Sequence, residues 1–267
     1  MPCRACLANF STGEPPQPPR AWDPPRELVI TWAKAIGGLA VARAISLVEP
    51  SGVLAANLAG VAAFLFLVLA DGRVRARGGA WRDHGVPQFS ARDRSTWPAY
   101  ARGLGAGLLS CAVVLPAFAL LFAAYSWALP HLAPGLARAI APYAVPAHPA
   151  LRFPPDLGLQ AALQLLVVAI PEELFYRGWM QTSWARGAPK RGVRVLGARL
   201  GAGFVWTQLL FAAGHLVVLQ PWRLATFLPG LWFGWLRERH GSVVAPVVAH
   251  ALANLFIRTL EASFYGR

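Results

Sequence analysis

Two adjacent carboxylates, Glu172 and Glu173, stand at the end of an uncharged run, LGLQAALQLLVVAI (157–170), and open the stretch EELFYRGWMQ (172–181). An ionisable group inside a membrane-length apolar run costs about 2.5–3.5 kcal/mol on insertion scales, so its presence is a functional hypothesis by default. Arg177 follows Glu173 by four positions, with the glutamate on the N-terminal side, the favourable order for a helical ion pair. Glu172 points about 100° away on the same helix and is not served by that pair. A carboxylate without a cation partner, in a setting poor in water, is suited to moving protons. Pro171 removes a backbone donor just before the pair and can bend the helix there.

Two further apolar runs carry polar groups at helical spacing. His250 and Asn254 are four apart, as are Phe211 and His215. Three helices can therefore present a carboxylate, imidazoles and an amide to one interior point. A water activated by a base, with donors aimed at a developing oxyanion, is the chemistry such a set can perform. Plainer readings exist for each part: a buried histidine satisfied by its neighbours, interhelical hydrogen bonds, a Glu–Arg pair as structural glue, or a proton or ion path.

The elements that must position these groups read as membrane helices. The chain has 267 residues, 56% hydrophobic and only 14% charged, against about 25% charged in soluble domains. Apolar stretches near 28–48, 53–70, 103–129, 157–180, 196–219, 222–236 and 242–260 predict an all-α polytopic bundle of about seven spans, since a crossing needs about 20 residues. The runs lack the period-2 alternation of barrel strands. The net charge of +13 fits the positive-inside rule better than nucleic-acid binding, because the arginines crowd alternate loops and do not stripe one face. That alternation predicts a cytoplasmic N-terminus and an external C-terminus. GxxxG spacing at Gly103/Gly107 and Gly197/Gly201 suggests close helix approach. Segment 130–156 reads as an external loop or a short interfacial piece. Residues 1–27 read as a Pro-rich, unfolded cytoplasmic tail carrying Cys3 and Cys6, half of a zinc site at most; 28–267 reads as one membrane domain with its motif core at 165–260.

The ordered set EELFYR (172–177), FAAGH (211–215) and HALAN (250–254) resembles the CPBP family of intramembrane proteases, which holds the CAAX prenyl endopeptidases and bacteriocin-processing and self-immunity proteins. The resemblance covers about 165–260. It implies that Glu172 activates water with help from His215, that His250 and Asn254 form the oxyanion hole, and that Glu173, Arg177 and Phe211 support the site. It leaves the cofactor open. A metal-free glutamate mechanism is favoured; zinc on Glu172, His215 and His250 is the alternative, three ligands plus water being a catalytic zinc pattern. No HExxH, no GxSG and no aspartyl pair within the spans offers another protease chemistry.

The expected activity is therefore an intramembrane endopeptidase acting on a membrane-anchored protein or peptide, such as a C-terminal sorting tail. The preference for Arg over Lys suggests a GC-rich bacterial genome, hence the inner membrane as location, and argues against prenylated substrates. The alternatives are a non-catalytic scaffold or immunity-type protein of the same fold, and a proton-coupled transporter. One tension stands in the sequence: straight spans would place Glu172 near the cytoplasmic side and His215 near the external side, so the fifth helix must start late, break or tilt.

Overall fold

The computed structural model describes residues 22–88, 90, 93–140, 149–187 and 191–266. Cys3, Cys6 and the first 21 residues of the expected tail lie outside them. Among the described residues the fold is nearly all helical. Its long elements are α1 (Pro25–Ser46), α2 (Leu58–Ala76), α3 (Trp97–Ala128), α4 (Leu157–Gly187), α5 (Ala202–Gly214), α6 (Phe227–His240) and α7 (Val244–Tyr265). A two-stranded antiparallel hairpin, β1 (Val193–Val195) and β2 (Ala198–Leu200), separates α4 from α5.

Each of the seven apolar stretches contains a helix, but seven spans are not confirmed. Among the described residues, three helical stretches are long and apolar enough to cross a membrane: Pro25–Ser46, Arg94–His131 and Leu157–Gly187. The others fall short for separate reasons. α2 carries Asp71, Arg73 and Arg75 in its last turns. The 13 residues of α5 and 14 of α6 reach only about 20 Å at 1.5 Å per residue, against a hydrocarbon core of about 30 Å. α7 is interrupted by His250, Arg258 and Glu261.

The expected fifth span also starts later than its hydropathy suggests. Residues 196–201 belong to the hairpin, whose turn puts Leu196 at φ 45° and Gly197 at φ 82°, a backbone that cannot continue an α-helix. Gly197 and Gly201 are thus not a helical GxxxG pair. Gly103 and Gly107 are one. A Cβ on Gly103 would stand 2.6 Å from Val244 Cβ, and one on Gly107 would stand 2.8 Å from Val248 Cβ. Glycine at both positions lets α3 and α7 touch backbone to side chain. After Gly214, α5 tightens into a 3-10 turn, His215–Val218, and stops at Leu219 with φ 54°. The late start and this break make α5 shorter than a straight span over 196–219.

Two apolar cores form. One joins Leu28 and Ala35 of α1, Phe66, Ala70 and Val74 of α2, and Phe175, Tyr176, Trp179 and Met180 of α4, with Phe211 of α5. The other joins Cys111 of α3, Phe233 and Leu236 of α6, and Ala245 and Ala249 of α7. The polar residues of α4 and α7 lie where these cores meet.

The chain just before α1 is tied to the same body. Asp23 is 3% exposed. Its carboxylate accepts from Arg73, from Arg77 Nε at 3.0 Å and from Trp179 Nε1 at 2.9 Å. Burial alone would raise the Asp23 pKa, but the hydrogen bonds from Arg73, Trp179 and Arg77 outweigh it and hold the carboxyl below its usual value. Beside it, burial pushes His84 below the ordinary histidine range, so the ring is neutral when Nδ1–H donates to Gly178 O at 3.2 Å.

Candidate active site

α4 is not a uniform α-helix. Gln164–Ala169 and Leu174–Gln181 adopt π-helical turns, with one α turn, Ile170–Glu173, between them. Wide turns of this kind occur mostly as local bulges, frequently at functional sites. Their effect here is a change of phase. Gln164 and Glu173 are nine residues apart, two and a half turns of an ordinary α-helix, and would face opposite ways. Both instead bond the same face of α7: Gln164 Oε1 accepts from Asn254 Nδ2 at 2.9 Å, and Glu173 Oε1 accepts from His250 Nδ1 at 2.8 Å. The extra residue taken up by the π turns brings the two onto one side.

Glu173 and Arg177 are both fully buried. Arg177 Nη1 donates to Glu173 Oε1 at 2.9 Å, as the i,i+4 spacing predicts. Its Nη2 donates to Gln208 Oε1 at 2.9 Å and Gly230 O at 3.2 Å. The guanidinium also lies 4.2 Å from the centroid of the Phe211 ring, a cation–π contact strengthened by the absence of water. A buried ion pair is stable only when its remaining hydrogen-bonding groups are largely met, and Gln208 and Gly230 do this for Arg177.

Gln208 extends the network. Its Nε2 donates to Gln181 Oε1 at 3.0 Å, and Gln181 Nε2 donates to Glu238 Oε1 at 2.8 Å. Both amides are completely buried. The chain Glu238–Gln181–Gln208–Arg177–Glu173–His250 thus links α4, α5, α6 and α7. Sequence reasoning missed Gln164, Gln181 and Gln208, because a search for ionisable residues passes over neutral amides. A signal existed: Gln208, Phe211 and His215 recur at three and four residues, along one face of α5.

Phe211 is the hub for the aromatic groups. Its ring centroid lies 4.8 Å from that of His215, 6.2 Å from His250 and 5.1 Å from Tyr176. Arg177 of α4, His215 of α5 and His250 of α7 are therefore gathered around one ring. Phe233 of α6, also unforeseen, stacks on His250 at 4.7 Å and 18°. His250 is held between these rings with its Nδ1 committed to Glu173.

Glu172 stands apart from this bonded set, in which Glu173 Oε2 and Arg177 Nε are nevertheless also without a partner. Its Oε2 lies 4.0 Å from His250 Nε2, too long for a hydrogen bond, and has no hydrogen-bond partner. Its side chain is 16% exposed, against 0% for Glu173. The pair of carboxylates thus divides into one locked in place and one left open.

The histidine tautomers follow from their partners. His215 Nδ1 lies 2.8 Å from Phe211 O; a carbonyl only accepts, so Nδ1 carries the proton and Nε2 keeps a lone pair. Asn254 uses one amide hydrogen on Gln164, and its second remains for another acceptor. Among the described residues no three His, Cys, Asp or Glu are grouped to hold a metal ion. Glu172, His215 and His250 do not form such a cluster, and no step below passes through a metal.

Residues 154–256 match the family model described as type II CAAX prenyl endopeptidase Rce1-like. No curated protein and no solved structure matches the chain. The matched segment runs from the approach to α4 past Asn254, and so contains all three motifs and the whole hydrogen-bonded assembly. Residues 154–256 thus form a domain similar to the type II CAAX prenyl endopeptidases, membrane proteases of the CPBP family.

Proposed function

We propose that the protein is an intramembrane endopeptidase that cleaves a membrane-anchored protein or peptide, with Glu172 as the base. The observation that carries this is the contrast within the Glu172–Glu173 pair. Glu173 is fixed through its Oε1 by Arg177 and His250, while Glu172 Oε2 makes no hydrogen bond and its side chain is 16% exposed.

Glu172 Oε2 and His250 Nε2, 4.0 Å apart, are close enough for one water to bond both, since each hydrogen bond needs about 2.8 Å. With Nδ1–H donated to Glu173, a neutral His250 presents Nε2 as an acceptor to that water, as His215 can with its own Nε2. Glu172 takes a proton from the water as its oxygen bonds to the substrate carbonyl carbon. The carbonyl π electrons become an oxyanion. The free N–H of Asn254 donates to it, joined by His250 when Nε2 carries a proton. Collapse then breaks the C–N bond, and Glu172 returns the proton to the leaving amine. Loss of a positioned base costs about 10²–10⁴-fold in rate.

The test is a survey of protein termini in membrane and surface fractions. Cells carrying the intact chain are compared with cells carrying Glu172→Gln at equal expression. A set of proteins retaining an uncleaved segment only in the variant supports the protease and identifies its substrates. Unchanged termini, with a phenotype on deletion of the whole gene, would make the fold a scaffold instead.

A further inference from the structure

The three motifs leave out Gln164, which precedes Glu172 by eight residues in the uncharged run 157–170. It opens the first π stretch of α4 and is 7% exposed. An amide buried in such a setting is costly unless it is hydrogen-bonded. Gln164 Oε1 accepts from Asn254 Nδ2 at 2.9 Å. One turn back along α7, Glu173 Oε1 accepts from His250 Nδ1 at 2.8 Å. α4 therefore holds α7 at two points, and those points are the two residues placed at the oxyanion.

The two groups differ in how much else restrains them. His250 lies between the rings of Phe211 and Phe233, which fix its plane whatever Nδ1 does. The terminal torsion of an asparagine is broad and roughly two-fold. Half a turn about it exchanges Nδ2 with Oδ1. An amide N–H stabilises a developing oxyanion, whereas a carbonyl oxygen in the same place repels it. Charge on the substrate appears only in the transition state, so it cannot select the orientation beforehand. The oxygen of Gln164 can. It takes one N–H of Asn254, and because the amide group is planar, the direction of the second N–H is then set.

We propose that Gln164 is a positioning residue of the proteolytic site, whose side-chain oxygen orients the Asn254 amide so that its second N–H meets the oxyanion. The inference rests on the protease reading above. Gln164 acts through Asn254 and takes no proton itself.

The test uses the full chain in nanodiscs and a substrate peptide taken from the termini survey, with Glu172→Gln as the inactive reference. Gln164→Met keeps an unbranched side chain of similar length and removes the amide oxygen. Its kcat should fall about 10–10²-fold, because a misplacement near 1 Å can cost about 10²-fold. KM should stay within about twofold, since the lost interaction belongs to the transition state. Asn254→Ala should lower kcat about 10²–10³-fold, the cost of one oxyanion donor. Adding Gln164→Met to Asn254→Ala should cost nothing further, because the amide it orients is gone; this non-additivity is what a double-mutant cycle reads. Thermal unfolding of all four chains reports that they are folded. A merely structural Gln164 would multiply the two losses instead. Equal kcat for the intact and Gln164→Met chains, or the same fold-loss in both backgrounds, would overturn the inference while Glu172→Gln still upholds the protease. Cleavage undiminished in Glu172→Gln would overturn the protease reading, and this inference with it.

Discussion

At the residue scale, adjacent carboxylates have opposite duties, and substitutions should separate them. Glu172→Gln removes no hydrogen bond of the fold, since Oε2 has no partner. We expect cleavage to fall about 10²–10⁴-fold with the melting temperature unchanged, checked by turnover of a substrate from the termini survey and by thermal unfolding in detergent. Arg177→Leu should behave differently. It strands the buried carboxylate of Glu173, and breaking a buried pair from one side costs about 3–5 kcal/mol, so the melting temperature itself should drop. Gln208→Leu lies between these cases: it removes the acceptor for Arg177 Nη2, and unfolding should show a loss of about 1–3 kcal/mol. Much of this was legible in the sequence. The i,i+4 spacings of Glu173 with Arg177, and of His250 with Asn254, fix which side chains share a face. Which glutamate would be satisfied was half-legible, because Arg177 can be paired with Glu173 from spacing alone. The anchoring of His250 by Glu173, and the amide chain through Gln208 and Gln181, depend on contacts between helices that no local pattern encodes.

At the element scale, the two π stretches of α4 are the feature no periodicity announced. Hydropathy in 157–180 reads the same for α and π turns, yet the choice decides which residues look at α7. Deleting Val167, within the first π stretch, should remove the extra residue and let an ordinary α-helix form, in which Gln164 and Glu173, then eight residues apart, differ by about 80° and still face α7. The expected readout is a π turn lost and the 2.9 Å Asn254–Gln164 contact kept in a structure of the variant. The contact between α3 and α7 is equally local. Gly107→Val would drive a side chain into Val248 and Ala245, and overpacking of this kind typically costs about 1–3 kcal/mol, measurable by thermal unfolding. Gly103/Gly107 could be picked from sequence, but the same spacing at Gly197/Gly201 belongs to a hairpin turn. The GxxxG pattern records small residues, and only the surrounding backbone says whether they sit on a helix.

At the scale of the whole molecule, the residues before α1 close the fold. Asp23 joins the end of α2 to Trp179 of α4. Its folded-state pKa is depressed, so its contribution is fully present above the unfolded value, about 3.9, and is lost as pH falls through the lower folded value. Asp23→Asn should therefore lower the melting temperature at pH 7, and the gap from the unsubstituted chain should close as the pH drops below about 4. The count of seven apolar stretches did recover seven long helices, because burial inside a bundle and burial in lipid both demand apolar residues. For the same reason composition could not say which helices cross. That depends on length and on interruptions such as Asp71, Arg73 and Arg258.

The length of α3 has one more consequence. Its 32 residues extend about 48 Å, well beyond a hydrocarbon core of about 30 Å, so the helix must lean or protrude. α7 rests on its glycines, and α7 holds His250 and Asn254. A thinner membrane should therefore tip α3 further over, and the contact with α7 should carry that motion to the imidazole and the amide with no ligand involved. Cleavage measured in discs of increasing acyl-chain length should pass through an optimum thickness, and Gly107→Val, by prising α3 from α7, should flatten that curve.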